Sequence, residues 1–223
     1  MSIVLLVFTL NEIDGFKKIM PYVKREWVDD IIVVDGGSTD GTIEEAERQG
    51  FKIIHQKNKG HGGAIVTGME NTNHDAAIFF GPDGNHEPEE IPRLIKKFEE
   101  GYDQVLISRF GKGSINDDAN FIEWFGNKMF VFLANAFFCG NYTDTLNESR
   151  IISRKAYEEL NFNALKMDST QQLSIRGLIK KQKIVELVGN EPARVGGKKK
   201  MRPLPVGASL SWQIIREFFV WKF

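Results

Sequence analysis

The stretch IIVVDGGSTDGT, residues 31–42, decides the fold class of this 223-residue chain. It opens with a β-branched apolar run, which is typical of a strand buried on both faces. The run leads directly into Asp35 and a glycine turn, after which a helical pattern begins. A strand that passes through a tight turn into a helix is the repeating unit of parallel α/β sheets. The stretch therefore predicts an α/β fold.

Short β-rich runs of the same kind recur along the first half of the chain, with helical segments between them. They cover residues 3–8, 30–34, 51–55, 76–80 and 104–107. We expect a Rossmann-like, mostly parallel sheet flanked by helices. The alternation then stops, and a second part is expected to complete an acceptor pocket. It comprises a helix over 119–138, a strand over 149–153, a helix over 169–180 and a strand over 183–188.

The composition excludes several classes of protein. Lys and Arg number 29 against 30 Asp and Glu, so the chain is not expected to bind nucleic acid by neutralising phosphates. No apolar run reaches the length of a membrane-spanning helix, and residues 3–8 lack the flanks of a signal peptide. The single cysteine, Cys139, follows two phenylalanines and is expected to be a buried structural thiol, which fits the cytoplasm.

The polar residues that follow each strand are candidates for one site, because ligands of such sheets bind at the carboxyl ends of the strands. After the second strand, residues 35–42 fit either a plain turn with Thr39 or Asp40 as a helix cap, or a binding site for ribose and base. All eight residues in order favour the binding site. The glycine-rich residues 58–63 precede an apolar helix and fit a phosphate-binding loop, but taken alone they favour a plain helix N-terminus.

Residues 79–86, FFGPDGNH, place one acid, Asp83, at the tip of the fourth strand. It either shapes an Asp-Gly turn or holds a hard cation on a diphosphate, and the other motifs favour the cation. Without cysteine partners zinc is not expected, and of the four histidines only His86 is a site candidate. Arg194 begins a basic loop that is either solvated or a phosphate clamp.

Taken in order, these motifs resemble family 2 glycosyltransferases of the GT-A fold, and within them the polyprenyl-phosphate branch that includes dolichol-phosphate mannosyltransferase. The resemblance runs from residue 3 to about residue 201. It rests on residues 9–12, 33–42, 58–60, 83–89, 108–109, 149–150, 184–186 and 194–200.

The resemblance implies roles for individual residues. Glu12 and Asp35 would contact the nucleotide, Asp83 would hold Mg²⁺ or Mn²⁺ with Asn85 beside it, and Arg194 would clamp phosphates together with Lys200. The other expected substrate-binding residues are Thr9, Asn11, Gly36, Ser38, Lys59, Gly60, Pro82, Arg150 and Gln172. Asp144 is a candidate for orienting the acceptor or the metal, and equally a turn acid.

Four positions depart from the family pattern, and one of them is Gly36, which stands where the family commonly has a second acid after Asp35. The first acid of its Asp-x-Asp is Gly81, the glutamate of a late helix is Gln172, and the serine of the last motif is Lys199. Metal affinity is therefore expected to be weak. Loss of a base harms transfer to a hydroxyl more than transfer to a phosphate, so a phosphate acceptor is favoured.

The sequence thus predicts an inverting hexosyltransferase of cell-envelope glycan biosynthesis. It would move a sugar from a UDP- or GDP-sugar to a polyprenyl phosphate or another glycan or lipid precursor. The alternative is a degenerate, non-catalytic nucleotide-sugar-binding or scaffold protein. A nucleotidyltransferase is disfavoured, because residues 8–12 stand where its early glycine-rich loop would be.

The expected organisation is one catalytic domain over 1–205, ending in a mobile loop over 196–205, and a C-terminal helix over 206–223. Residues 209–223 are aromatic with few charges. They suit the inner face of the cytoplasmic membrane, the core, or a second subunit. The donor nucleotide, the sugar, the acceptor and the oligomeric state are left open.

Overall fold

The computed structural model describes residues 1–196 and 203–222, and its centre is a seven-stranded sheet. The strands are β1 (Ile3–Thr9), β2 (Asp30–Asp35), β3 (Lys52–His55), β4 (Ala76–Phe80), β5 (Gln104–Ser108), β6 (Arg150–Ser153) and β7 (Ile184–Val188). The helices are α1 (Ile13–Ile19), α2 (Thr42–Arg48), α3 (His61–Glu70), α4 (Glu90–Phe98), α5 (Phe121–Phe138), α6 (Arg154–Glu159), α7 (Ser169–Ile179) and α8 (Pro203–Lys222).

The strand order is β3-β2-β1-β4-β6-β5-β7. The first four strands are parallel, whereas β6 runs antiparallel to both of its neighbours, β4 and β5. Phe79, near the end of β4, pairs with Arg150, the first residue of β6. The segment before β6 therefore lies at the same edge of the sheet as the carboxyl ends of β1, β2 and β4.

Both faces of the sheet are covered, which explains why the strands are apolar without alternation. In β1, Leu5 and Val7 belong to one core cluster with α1, α2 and α4, and Leu6 belongs to a second with α3, α6 and α7. A third cluster joins α5, α7 and α8 through residues such as Phe130 and Leu210. Helix α8 thus packs on the rest of the chain with one of its faces.

The predicted mostly parallel α/β sheet is confirmed, and each predicted strand is present to within one or two residues. Helix α6 was not predicted, because its six residues give too short a pattern. Among the helices of the described residues, none combines the length and apolarity that crossing a membrane requires.

Two predictions made from the C-terminal half were wrong. Cys139 is exposed, because it ends α5 in a left-handed conformation with φ of 57°. Residues 203–205 belong to α8 and not to a loop. Their prolines are tolerated because the first turn of a helix has no partners for its backbone N–H groups. Residues 197–202, including Lys200, lie outside the described residues.

Candidate functional site

A cavity of about 980 Å³ opens at the carboxyl edge of the sheet. Its polar end is formed by the ends of β1 and β4, by the segment before β6, and by residues 191–194. Its other end lies between α5 and α8 and is apolar. The predicted site residues that line the cavity are Thr9, Glu12, Gly36, Lys59, Gly60, Pro82, Asp83, Asn85, His86 and Arg194.

Arg194 connects two carboxylates at the polar end. Its Nη1 donates to Asp83 Oδ2 at 2.8 Å, and its Nη2 donates to Glu12 Oε1 at 3.1 Å. Its buried Nε has no hydrogen-bond partner within residues 1–196 and 203–222. The backbone N–H of the next residue, Val195, donates to the carbonyl of Asp83 at 2.8 Å. These contacts bring together three residues that lie far apart in the sequence.

The oxygen atoms at this end are suitable ligands for the divalent ion that the sequence predicts. Among the described residues, Asp83 Oδ1 accepts from the backbone N–H of Asn85 at 3.1 Å, while the Asn85 amide group donates to the Pro192 carbonyl at 2.8 Å. Carboxylate and amide oxygens are ligands of Mg²⁺, which usually takes only one or two carboxylates from the protein. No group of three or more metal-binding side chains exists among the described residues.

Asp35 is used inside its own turn. Its Oδ2 accepts from the backbone N–H groups of Gly37 and Ser38 at 2.7 and 2.9 Å, and its Oδ1 accepts from Thr9 Oγ1 at 3.1 Å and from the Ser38 hydroxyl. The residue is buried and does not line the cavity. The structure therefore places Asp35 and Ser38 behind Gly36, which does reach the cavity.

The rest of the same motif joins the first two helices. Asp40 Oδ2 accepts from the backbone N–H of Ile13 and Thr42 Oγ1 accepts from that of Glu12, both at 3.0 Å. The Asn11 side chain accepts from the backbone N–H of Thr39 at 2.8 Å and lies outside the cavity. These bonds satisfy the free N–H groups at the start of α1 and hold Glu12 at the cavity.

The backbone of the glycine-rich loop before α3 contacts another segment of the protein, so these contacts differ from those of a phosphate-binding loop. The backbone N–H groups of Gly62 and Gly63 donate to the carbonyls of Lys166 and Leu165 at 3.3 and 3.1 Å. Two donors of the first helical turn are thus occupied by protein. Lys59, which is exposed and lines the cavity, is the residue of this loop that can reach an anion.

Asp144 acts on the cavity through Arg109. The two form a double contact, Nε to Oδ2 at 2.7 Å and Nη2 to Oδ1 at 3.1 Å, and Arg109 Nη1 also donates to Glu191 Oε1 at 2.8 Å. Burial alone would raise the pKa of Asp144, but the charge and hydrogen bonds of Arg109 outweigh burial and lower it. Arg109 and Glu191 line the cavity, whereas Asp144 lies behind them.

Arg150 and Gln172 are not brought to the cavity. Arg150, the first residue of β6, is fully buried, and its guanidinium donates to the carbonyls of Asn147 and Thr170. Gln172 is also fully buried, and its Nε2 donates to Glu217 Oε1 on α8 at 3.0 Å. In the structure both residues hold segments of the C-terminal half together.

A row of charged groups extends inward from the cavity, and of these groups only His86 was a predicted site candidate. His61, His86 and Glu148 line the cavity, and Glu90 is buried outside its lining. His61 Nε2 contacts Glu148 Oε2, and Glu148 Oε1 lies 3.6 Å from His86 Nε2. On its other side His86 Nδ1 lies 3.8 Å from Glu90 Oε2, which accepts from Ser149 Oγ at 3.0 Å. Glu148 was not predicted because site residues were sought after the carboxyl ends of the strands, whereas Glu148 precedes β6, which is antiparallel to its neighbours.

The pKa values within this row of charged groups follow from the neutralisation of each carboxylate by the neighbouring histidines. Burial alone would raise the pKa of Glu148, but the charges of His61 and His86 and the contact with His61 outweigh burial and hold that pKa far below its ordinary value. For His86 burial acts downwards, yet the carboxylates of Glu148 and Glu90 raise its pKa to about 9. Burial raises the pKa of Glu90 to about 7, partly offset by His86. Glu148 is therefore a carboxylate at neutral pH.

The comparisons with known proteins agree on one family. Residues 9–161 match the model of glycosyl transferase family 2. Glycosyltransferase AglJ of Haloferax volcanii is 31% identical over 112 residues, 49% of this chain and 36% of that protein. An undecaprenyl-phosphate 4-deoxy-4-formamido-L-arabinose transferase of Pseudomonas paraeruginosa is 36% identical over 102 residues, 43% of this chain and 28% of that protein.

Hexosyltransferase Agl6 of Haloferax volcanii, named for low-salt glycan biosynthesis, is 25% identical over 185 residues, 80% of this chain and 45% of that protein. The chain therefore spans less than half the length of these three relatives. A crystal structure of glucosyl-3-phosphoglycerate synthase from Mycobacterium tuberculosis, with Mn²⁺, UDP and glucosyl-3-phosphoglycerate, superposes with a TM-score of 0.74 at 22% identity. The superposition covers 99% of this chain and 79% of the synthase chain. At this identity the likeness shows a shared fold.

Proposed function

The chain belongs to glycosyl transferase family 2, and from that membership we propose that it transfers a sugar, with inversion, from a UDP- or GDP-sugar to a polyprenyl phosphate. One observation carries the proposal. A single cavity joins a polar end, with Asp83 and Arg194, to an apolar end between α5 and α8. This arrangement suits a charged donor and an acceptor that combines a phosphate with a hydrocarbon chain.

The polar end supports the donor. Glu12, Asp83 and Arg194 already form one contact network, and the guanidinium of Arg194 is the cation of this network that would bind a phosphate oxygen. The neighbouring structure from Mycobacterium tuberculosis contains UDP and Mn²⁺, which supports a nucleotide donor of this kind. Asp83, together with Asn85, would hold Mg²⁺ or Mn²⁺ on the diphosphate.

The apolar end supports the acceptor. It is lined on one side by Ile122, Phe125 and Met129 of α5 and on the other by Val206 and Leu210 of α8. Three of these side chains, those of α5, are also exposed, so the groove opens to the outside. A hydrocarbon chain in this groove would cover them. The relative from Pseudomonas paraeruginosa is named as a transferase for undecaprenyl phosphate.

The residues around the cavity would act by positioning and by charge. The bound metal ion would stabilise the leaving diphosphate as a Lewis acid. Arg194 would leave Asp83 for the diphosphate and balance the charge that develops on the leaving group. Lys59 would attract the acceptor phosphate, whose oxygen is already ionised and needs no base. Exposed apolar residues of α5 and α8 would rest on the membrane surface.

Calorimetric titration of UDP- and GDP-sugars, each with and without Mn²⁺, tests the donor. Wild type is compared with Asp83→Asn, which keeps the shape of the side chain, and with Asp117→Asn, an exposed control of the same chemistry. We expect one nucleotide to bind with Mn²⁺ to the wild type and the control, and about 10-fold to 100-fold more weakly to Asp83→Asn.

Transfer of radiolabelled sugar from that donor to a polyprenyl phosphate tests the reaction. Lipid-linked product in the organic phase would support the proposal. Donor binding without hydrolysis or transfer would support the degenerate, non-catalytic alternative. A wild-type protein that binds no nucleotide sugar would contradict the proposal and support a degenerate scaffold protein.

A further inference from the structure

The end of β4 contains a space that another part of the chain fills. At Gly81, the first residue after the strand, an added Cβ would lie 2.3 Å from Glu148 Oε1 and 3.6 Å from the His86 ring. Gly81 has ordinary backbone angles, so its conformation does not require glycine. The carboxylate of Glu148 thus stands where a side chain on residue 81 would begin.

Glu148 is held in that position from two sides. His61 Nε2 contacts Oε2, and His61 is fixed in turn because its Nδ1 lies 2.7 Å from Ser169 Oγ. His86 Nε2 lies 3.6 Å from Oε1, which is longer than a hydrogen bond. Among the described residues, Oε1 therefore has the weaker contacts of the two carboxylate oxygens. Glu148, Gly81 and Asp83 all line the cavity.

The topology explains how a residue from another element reaches this point. Because β6 runs antiparallel to β4, its first residue lies beside the end of β4, and Glu148 precedes that residue by two. A parallel strand would present its carboxyl end here instead. The segment before β6 can therefore supply a side chain to the edge that Asp83 occupies.

Another role for the same contacts is excluded by burial. His61 contacts Ser169 with one ring nitrogen and Glu148 with the other, which is the order of contacts in a nucleophilic triad. Ser169 is fully buried, so no substrate carbonyl can approach its Oγ. The serine serves to orient His61, and the accessible group of the series is the carboxylate.

We propose that Glu148 is the second acid of the donor site at the polar end of the cavity. It comes from the segment before β6 and occupies, beside Asp83, the space that the missing side chain of Gly81 leaves free. It would contact the cation that accompanies the donor and supply a second carboxylate beside that of Asp83. Two carboxylates are within what Mg²⁺ takes from proteins. This inference rests on the proposed function, because it assigns a residue to the same donor site.

The test exchanges the acid between the two positions. Four variants are compared with wild type: Glu148→Gln, Glu148→Ala, Gly81→Asp and the double variant Gly81→Asp/Glu148→Ala. Glu70→Gln is the control, because it removes an exposed carboxylate of α3. UDP and GDP are titrated by calorimetry with and without Mn²⁺, and each variant is melted to establish that it is folded.

We expect Glu148→Gln and Glu148→Ala to weaken Mn²⁺-dependent nucleotide binding about 10-fold, with metal-free binding unchanged. The double variant should regain affinity to within about threefold of wild type, since the new carboxylate occupies the vacated place. Gly81→Asp alone should melt lower than wild type, because two carboxylates then compete for one space.

Two results would overturn the inference. One is a folded Glu148→Gln that binds nucleotide and Mn²⁺ as wild type does. The other is a folded double variant that binds no better than Glu148→Ala. If the double variant does not fold, Glu148→Gln decides alone. If the wild type itself binds neither UDP nor GDP, the proposed function fails and the inference fails with it.

Discussion

Arg109 is a charge kept inside the protein by two carboxylates. Its guanidinium contacts Asp144 and Glu191, and only 17% of its side chain is exposed. Burial alone would lower the pKa of Arg109, but the two carboxylates outweigh burial and raise it. Since a buried charge is costly without a partner, each carboxylate is needed to keep Arg109 at the cavity wall.

Asp144→Asn tests this pair through its pH dependence. At pH 7 we expect a loss of about 3 kcal/mol in the free energy of unfolding, because Arg109 keeps only Glu191 as an ionic partner. The folded pKa of Asp144 lies below the ordinary value of 3.8. Its stabilisation is therefore complete above pH 3.8 and is lost as the pH falls through the folded pKa.

Urea unfolding of the wild type and Asp144→Asn at pH 7, 5 and 3.5 measures this difference. The gap between the two proteins should remain constant from pH 7 to 5 and begin to close at pH 3.5. Asp117→Asn, exposed and isosteric, should match the wild type throughout. A gap that widens as the pH falls would show that the carboxylate does not act as the partner of Arg109.

Gln172 stands where the resemblance implies a glutamate, and its surroundings explain why a carboxylate does not fit there. Its Nε2 donates to Asn163 Oδ1 at 2.9 Å and to Glu217 Oε1 at 3.0 Å, and both residues accept. Gln172→Glu would place a carboxylate against another in a buried site. We expect a loss of about 3 kcal/mol in stability and unchanged donor affinity.

Chemical denaturation and nucleotide titration of Gln172→Glu separate stability from binding. Adding Glu217→Gln restores a donor opposite the new carboxylate, so the double variant should recover at least half of the lost stability. If Gln172→Glu is as stable as the wild type, the contact with Glu217 is not what determines this position.

At the scale of elements, helix α1 is pressed against the loop that carries Asp83. An added Cβ at Gly15 would lie 2.3 Å from the carbonyl oxygen of Pro82 and 2.9 Å from the Asp83 Cα. These are backbone atoms, which cannot move aside as the end of a long side chain can. The absence of a side chain at Gly15 thus sets how closely the helix approaches the candidate metal-binding loop.

Gly15→Ala should lower the stability by about 1–3 kcal/mol through overpacking and weaken Mn²⁺-dependent donor binding by displacing Asp83. Gly126→Ala in α5 is the matched control, since the nearest atom to its Cβ is 4.0 Å away. There the alanine should leave the stability unchanged or raise it. Thermal melts and calorimetry measure both properties. Equal melting temperatures for the two variants would contradict the close packing of α1.

The elements also show which parts of the site could be predicted. Apolar runs identified the strands, and the polar residues after β1 and β4 did bring Glu12 and Asp83 to one edge. The interior of the motif 35–42 could not be read this way, because the bonds of Asp35 to its own turn depend on atomic positions. Glu148 was missed for another reason: it precedes a strand, and only the antiparallel pairing of β6 puts it at the site.

At the scale of the whole molecule, apolar side chains remain exposed along two helices that pack on each other. In α5, Phe121 and Phe132 are 76% and 69% exposed, and in α8, Trp212 and Val220 are 66% and 70% exposed. These helices form the apolar end of the cavity. A membrane surface at this side would cover both the exposed side chains and the hydrocarbon chain of the proposed acceptor.

The double variant Ile122→Ser/Phe125→Ser tests whether this side meets the lipid, because both residues line the cavity and are exposed. Each buried apolar side chain contributes about 1.5–3 kcal/mol, so transfer to a long-chain polyprenyl phosphate in vesicles should fall at least 10-fold. Donor affinity should not change, since the donor binds at the polar end. Transfer to a phosphate with a short, water-soluble isoprenoid chain should fall much less. Tyr22→Ser, which removes an exposed aromatic residue outside α5 and α8, should behave as the wild type. An equal loss with both acceptors would assign the two residues to the folding of α5 and not to the lipid.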